Sequence, residues 1–385
     1  MYNVNMENYI PRTLEKTILQ KLSDNKAIVV FGPRQTGKST LLKQLFKGDD
    51  NVLWLYGDQP QTQVLFDDAS EARIRTIIGN KKTVILDEAQ MVKNIGMKLK
   101  MFTDYIDGIK VIATGSSSFD LANKINEPLT GRKWEYQLLP LSFAEMANAS
   151  SNAEEMKNLE TRLIYGYYPE IALNPGEEKM RLLELVNSYL YKDVLVWEKL
   201  QKAEKINKLL QALAFQAGSQ VFYSEIGAFT GLDSKTVEKY IELLEKAFVI
   251  YRLSSYSRNL RNELKASKKI FFYDNGVRNA LISAFNPLEL RDDIGTLWEN
   301  FIMAELLKKD LYAKNFAHRW FWRNKQQNEI DLIHEADGIF TAYEFKWNEK
   351  KKVSCPPAFK AAYPEIEFHV INRENFIDYI GPSVK

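Results

Sequence analysis

The feature that most constrains this chain is "GPRQTGKS", Gly32 to Ser39, which satisfies G-x-x-x-x-G-K-[ST] without a mismatch. The apolar run "AIVVF" precedes it and "STLLKQLF" follows, so the motif stands at a strand-to-helix junction. Glycines there let backbone N–H groups curl around phosphate oxygens, and the helix N-terminus adds the positive end of its dipole. On this reading Gly32, Pro33, Arg34, Gln35, Thr36, Gly37, Lys38, Ser39 and Thr40 form a phosphate cradle. Lys38 is placed to reach the β- and γ-phosphates of ATP, and the Ser39 hydroxyl to ligate Mg²⁺.

Such a loop needs an acidic partner at the end of a second hydrophobic strand, and "TVILDEAQ" supplies one in Asp87 and Glu88. Asp87 would hold Mg²⁺ through water, and Glu88 would orient or deprotonate an attacking water. The next apolar run ends in "VIATGSSS". Thr114 and Ser116 there either bond the γ-phosphate and lytic water or simply cap a helix. Arg132 in "LTGRKWEY" is a candidate for transition-state charge, in cis or across a subunit contact, or else an ordinary surface arginine.

Between Ala27 and about Leu141, short apolar runs alternate with amphipathic segments: "AIVVF", "VLWLY", "TVILD", "KVIAT" and a weaker "WEYQLL". Runs this continuous predict strands covered on both faces, hence a parallel α/β sheet. A small polar stretch, "NASSNAEEMKN", marks its end. Helical spacing follows to about 217. Then come a helix, a Gly-containing turn, a second helix and a hairpin around 218–275. The last part opens with the helix "IGTLWENFIMAELLKKDL" and continues through strands near 318–323, 328–334, 340–347 and 366–371.

A single cysteine, Cys355, rules out an intrachain disulfide, and three scattered histidines make a zinc site a poor expectation. A formal charge of +2 means that any nucleic-acid surface must be a local patch. No apolar run reaches the length of a membrane span, and the N-terminus lacks a secretory pattern, so a cytoplasmic location without membrane partners is expected.

Taken together these motifs resemble a prokaryotic AAA+-type P-loop ATPase family. Its C-terminal half carries a winged helix and a PD-(D/E)XK, restriction-endonuclease-like domain. The resemblance rests on "FGPRQTGKSTLL", "ILDEAQ", "TGSSS", "LTGR", "LPLSFAEM", "YLYKDVL", "FYDNGVRNAL", "GTLWENF" and "FWRNKQQNEIDLI". It departs at "GYYPE", where Tyr167 stands in the second position of a Gly-Gly-x-Pro-like turn. The resemblance implies ATP and Mg²⁺ at the loop and the acidic pair, Ser116 in a sensing position, and Arg132 as a functional arginine. It also implies four parts: an ATPase domain at 1–150, a helical connector at 151–217, a winged helix at 218–290 and a nuclease-like domain at 291–385. A homo-oligomer is compatible with all of this.

The segment "SEIGAFTGLDSKTVEKYIELLEKAFVI" fits the winged helix, with Leu232 in the turn, Asp233 or Ser234 as cap, and Lys235, Thr236 and Lys239 outward. Residues 252–269 carry Arg252, Arg258, Arg261, Lys265, Lys268 and Lys269 against one acid, Glu263. Such a surface suits nucleic acid, DNA more than RNA, or is merely a solvated wing.

Finally, alternation in "NEIDLI" and "AYEFKW" places Asp331, Glu344 and Lys346 on one face if the two strands pair. Glu299 in "LWENF" supplies a further acid. Glu299, Asp331 and Glu344 are thus candidate Mg²⁺ ligands, with Lys346 stabilising charge on a scissile phosphate. An exposed salt-bridged hairpin explains the same pattern. The leading expectation is a Mg²⁺-dependent ATPase coupling nucleotide state to nucleic-acid binding, with or without cleavage. Its rivals are an ATP switch that does not cut and a small-molecule kinase.

Overall fold

The computed structural model describes residues 9–67, 70–116, 125, 129–196, 203–257, 268–350 and 353–382. The basic residues Arg258, Arg261 and Lys265 lie outside the described residues. Two compact units emerge. One runs from the N-terminal side to Leu139 together with Lys246–Phe248; the other comprises Pro140–Glu245 and the chain from Val249 onward.

The first unit holds a parallel sheet of β1 (Ala27–Phe31), β2 (Val52–Tyr56), β3 (Thr83–Asp87), β4 (Lys110–Gly115) and β5 (Lys133–Gln137). The spatial order is β2-β3-β4-β1-β5, every pair parallel. Strand β1 is buried at all five positions, as its unbroken apolar run requires. Because β4 lies between β1 and β3, the C-terminal end of β4 stands between the phosphate loop and the acidic pair. Ligands in such sheets bind at the carboxyl ends of the strands, so this order assembles the site.

The second unit is built on one seven-stranded sheet, ordered β12-β11-β10-β9-β7-β8-β6. Its strands are β6 (Gln220–Val221), β7 (Ile250–Ser255), β8 (Lys268–Phe272), β9 (His318–Arg323), β10 (Glu329–Ala336), β11 (Ile339–Phe345) and β12 (Glu367–Ile371). The expected boundary near 290 therefore falls inside a single sheet. Strands β7 and β9 pair in parallel through Ser254↔Trp320 and Ser255↔Phe321. Apart from Lys246–Phe248, the expected parts at 151–217, 218–290 and 291–385 all lie in the second compact unit, which opens at Pro140.

The helix Ile294–Ala313 runs through this unit and is buried along most of its length, including Trp298, Phe301 and Ile302. Being apolar nearly all round, it must be enclosed. Its polar residues are paired. Asn300 accepts from the Phe272 N–H at 2.7 Å and donates to its carbonyl at 3.0 Å, in effect extending β8. Lys308 bonds Glu305 at 2.7 Å and the Leu141 carbonyl at 2.8 Å.

The "GYYPE" turn resolves into two different demands. Gly166 has φ of 79°, and a Cβ there would lie 2.0 Å from Asp274 Oδ1. Tyr167 needs no such freedom. It is 3 % exposed and stacks on Phe301 at 6.1 Å, with Arg162 and Lys308 over its ring at 5.5 and 5.3 Å. A side chain at the second position fills the core, so glycine is required only at the first.

Candidate active site

At the end of β1 the loop turns sharply. A Cβ on Gly32 would lie 2.1 Å from the Leu138 carbonyl oxygen, which only glycine avoids. Gln35 adopts φ of 60° and Gly37 φ of 90°, directly before the helix Lys38–Leu45. Lys38, 6 % exposed, donates to the Gly32 and Pro33 carbonyls at 2.9 and 2.7 Å. Thr36 is fully buried and its hydroxyl donates to the Pro33 carbonyl at 3.0 Å. Arg34 and Thr40 are half-buried and Gln35 is exposed.

The Ser39 hydroxyl donates to Asp87 Oδ2 at 2.7 Å, and Thr114 donates to Asp87 Oδ1. The Glu88 N–H in turn donates to Thr114 Oγ1 at 3.2 Å. Glu88 sits at φ of 51°, a strained left-handed conformation for a side-chain-bearing residue, which fits a functional turn. The Gln90 amide then donates both to Glu88 Oε2 at 2.5 Å and to Ser116 Oγ at 3.2 Å. A carboxylate only accepts hydrogen bonds, so the nitrogen of Gln90 must face Glu88. Ser39, Asp87, Glu88, Thr114 and Ser116 are thus brought together.

Gln90 was visible in "ILDEAQ" but carried no role on sequence grounds, because its reach back to Glu88 depends on the turn. Gln90→Ala is expected to lower kcat for ATP roughly tenfold with KM unchanged, since the carboxylate loses its holder. Steady-state ATP hydrolysis measures this, and an unchanged kcat would remove Gln90 from the site. Arg12 also escaped notice. It is 5 % exposed and donates to the Thr36 and Leu139 carbonyls at 2.8 and 2.6 Å, bracing the loop from the side.

Arg132 is not part of this cluster. It directly precedes β5, with its carbonyl bonded to the Ala27 N–H at 2.9 Å, at the opposite end of the sheet from the loop. Five residues of strand separate those ends, about 16 Å, and the guanidinium pairs with Asp104 at 2.6 Å. Action in cis on this loop is therefore corrected.

In the second unit, β10 and β11 pair antiparallel with Leu332 opposite Tyr343, as the alternation predicts. A register shift against β9 between Ile330 and Ile333 re-aims Asp331 inward, and residues 330–333 are all buried. Asp331 accepts from the Phe345 N–H at 2.8 Å, and Lys346 bonds Glu344 at 2.6 Å. Lys269 was expected on a basic surface suited to nucleic acid, or on a merely solvated wing. It turns inward instead, 3 % exposed along its side chain, bonding Glu299 at 3.1 Å and pairing with Glu329. Arg252 is likewise turned to Glu245 at 2.6 Å, and Lys268 to Ser254 at 2.8 Å.

Burial pushes Glu299 up to about 8, with Lys269 pulling the other way and Asp331 adding to the rise. Burial also raises Asp331 and Glu344, the latter further through Asp331. Burial works against the charge of Lys269, yet Glu299, Asp331 and Glu329 hold it above its ordinary range. Among the described residues no three Asp, Glu, His or Cys side chains gather as a metal-ligand set. In this arrangement Glu299 faces Lys269, Glu344 Oε1 faces Lys346, and Asp331 accepts a backbone N–H.

The first unit's fold and site are those of a P-loop ATPase domain. Accordingly, residues 24–147 match the family model described as an AAA domain. Two models described as domains of unknown function, DUF8612 and DUF4143, match 156–288 and 294–380. An uncharacterized protein of Methanocaldococcus jannaschii is 24% identical, over 94% of this chain and 84% of its own length. One from Haemophilus influenzae is also 24% identical, over 87% and 85%. Among solved structures, a Walker-type ATPase of Pyrococcus abyssi shares the fold at a TM-score of 0.50 and 17% identity, covering 72% of this chain and 97% of that one.

Proposed function

We propose that the protein is a Mg²⁺-dependent ATPase whose nucleotide state governs DNA binding by its second unit, without cleavage. The observation that carries the ATPase part is the Ser39–Asp87–Thr114–Glu88 hydrogen-bond chain beneath the loop. Ser39 and Asp87 fit a hard cation, since both present oxygen at the loop's mouth. They would hold Mg²⁺, which when bound neutralises charge on the β- and γ-phosphate oxygens. Lys38 and the loop N–H groups bind and orient the phosphates. Glu88, held by Gln90, accepts a proton from water as the water oxygen attacks the γ-phosphorus; the bond to the bridging oxygen breaks and ADP leaves. Ser116, joined to the same amide, reads the γ-phosphate. Arg132 remains a candidate for action across a subunit contact.

The DNA part is supported by the helices Tyr223–Thr230 and Ser234–Lys246, followed by the β7–β8 hairpin, an arrangement of winged-helix type. Asp233 caps the second helix, accepting from the Thr236 N–H at 3.0 Å and its hydroxyl at 2.6 Å. Lys235 and Lys239 are exposed on that helix. The sequence between β7 and β8 adds Arg258, Arg261 and Lys265. Fluorescence anisotropy with labelled duplex DNA, in ATP, ADP and no nucleotide, tests the proposal. Affinity should depend on nucleotide and fall with salt, and Lys235→Ala with Lys239→Ala should weaken it roughly fivefold. The same samples on a denaturing gel should stay intact with Mg²⁺ or Mn²⁺. No binding in any state at low salt would remove the DNA part, and cleavage lost with Asp331→Ala would restore the nuclease.

A further inference from the structure

The acidic centre of the second unit draws on four carboxylates, Glu299, Glu329, Asp331 and Glu344, from one helix and two strands. Such a set needs cations. Lys269 lies on β8, a strand whose last three residues, Ile270 to Phe272, are apolar and fully buried. Its ammonium bonds Glu299 Oε1 at 3.1 Å and pairs with Glu329, while the Phe321 ring lies 5.5 Å away. Lys346 bonds Glu344 at 2.6 Å, yet Glu344 Oε2 is buried with no hydrogen-bond partner. One acceptor in the centre thus remains unsatisfied.

We propose that Lys269 is a built-in cation that takes the place of a divalent metal in this centre, making it a permanent clasp. Three observations carry the inference. Lys269 reaches the helix-borne acid and the acid at the start of β10 together. A side chain this buried cannot keep its charge without those acids, and Glu299 cannot lose it without standing unpaired, while Glu329 also has Arg323 at 3.5 Å. Glu344 Oε2, in the same centre, is buried with no hydrogen-bond partner, an acceptor still open to a cation. A divalent ion and an ammonium group bound to the same carboxylates repel one another, so Lys269 excludes the metal while it stays. The clasp ties the β7–β8 hairpin to the helix Ile294–Ala313 and to β10, and it works at any metal concentration.

The test uses the full chain without nucleotide, in an Asp87→Asn background that disables the phosphate-loop metal ligand. It is therefore independent of the ATPase reading. Mn²⁺ binding is followed by the loss of the free-ion electron paramagnetic resonance signal, and unfolding temperature is measured with and without Mn²⁺. The parent should show no Mn²⁺ binding that depends on Asp331. Lys269→Met should bind one Mn²⁺ per chain at least tenfold more tightly than the parent, and further Asp331→Asn should abolish it. Mn²⁺ should raise the unfolding temperature of Lys269→Met alone. Lys269→Gln, which sheds the charge but keeps hydrogen bonds, takes its place if the methionine variant fails to fold, whereas Lys269→Arg should still exclude the ion. Asp331-dependent binding by the parent, or none by a folded neutral variant, would overturn the proposal.

Discussion

Lys38→Ala is expected to lower ATP turnover by about 1000-fold or more, to background. Its ammonium is held inside the loop by the Gly32 and Pro33 carbonyls at 2.9 and 2.7 Å, poised for the stronger acceptors a triphosphate brings. Alanine leaves the loop without its fixed charge. Glu88→Gln should separate binding from chemistry. It keeps the size of the side chain and, by turning its amide, a bond to Gln90, but it cannot take a proton. ATP should therefore bind and stay, co-eluting with the protein, while kcat falls roughly 100- to 1000-fold. Phosphate release and retained nucleotide measure the two effects. Wild-type turnover from both variants would sink the ATPase assignment.

Gly166→Ala is expected to destabilise the second unit by about 3 kcal/mol, lowering its unfolding temperature by roughly 10 °C. Two penalties coincide. The residue sits at φ of 79°, and a Cβ would meet the Asp274 carboxylate at 2.0 Å. That carboxylate cannot simply retreat, because it accepts from the Tyr167 N–H at 2.7 Å and the Val277 N–H at 3.2 Å. Tyr167→Phe, by contrast, keeps the ring that fills the core against Phe301, so it should cost little. Thermal unfolding of the two variants side by side checks the contrast. Equal losses would mean that packing at Tyr167, not the glycine turn, governs this region.

Strands were the most legible elements. The runs read as "AIVVF", "VLWLY" and "TVILD" coincide with β1, β2 and β3, because a strand buried on both faces writes itself as continuous apolar sequence. The phosphate loop was legible for a similar reason: its chemistry is local, and eight residues contain it. What escaped depends on chain reversal. Gln90 reaches Glu88 only through the left-handed turn, and Arg12 meets Thr36 only once the sheet has formed. Lys269 looked like one more cation in a basic run. Strand alternation hides a lysine's direction unless its surroundings are known, and the acids that Lys269 meets, Glu299 and Glu329, come from later elements of the chain. Asp331, Glu344 and Lys346 do come to one neighbourhood. What the spacing could not reveal was that a distant ammonium would join them.

The pairing of β7 with β9 bears on how such a protein can evolve. Ser254 and Ser255 lie beside Trp320 and Phe321, and the Tyr256 N–H donates to the Phe321 carbonyl at 2.6 Å. A recombination point between residues 288 and 294, where the two matching family models part, would leave each fragment with a row of unpaired backbone groups. The segment that ends in β7 and β8 and the C-terminal strands are therefore not interchangeable cassettes. They are inherited as a pair, and divergence must come from substitutions at exposed positions, with the shared sheet held constant.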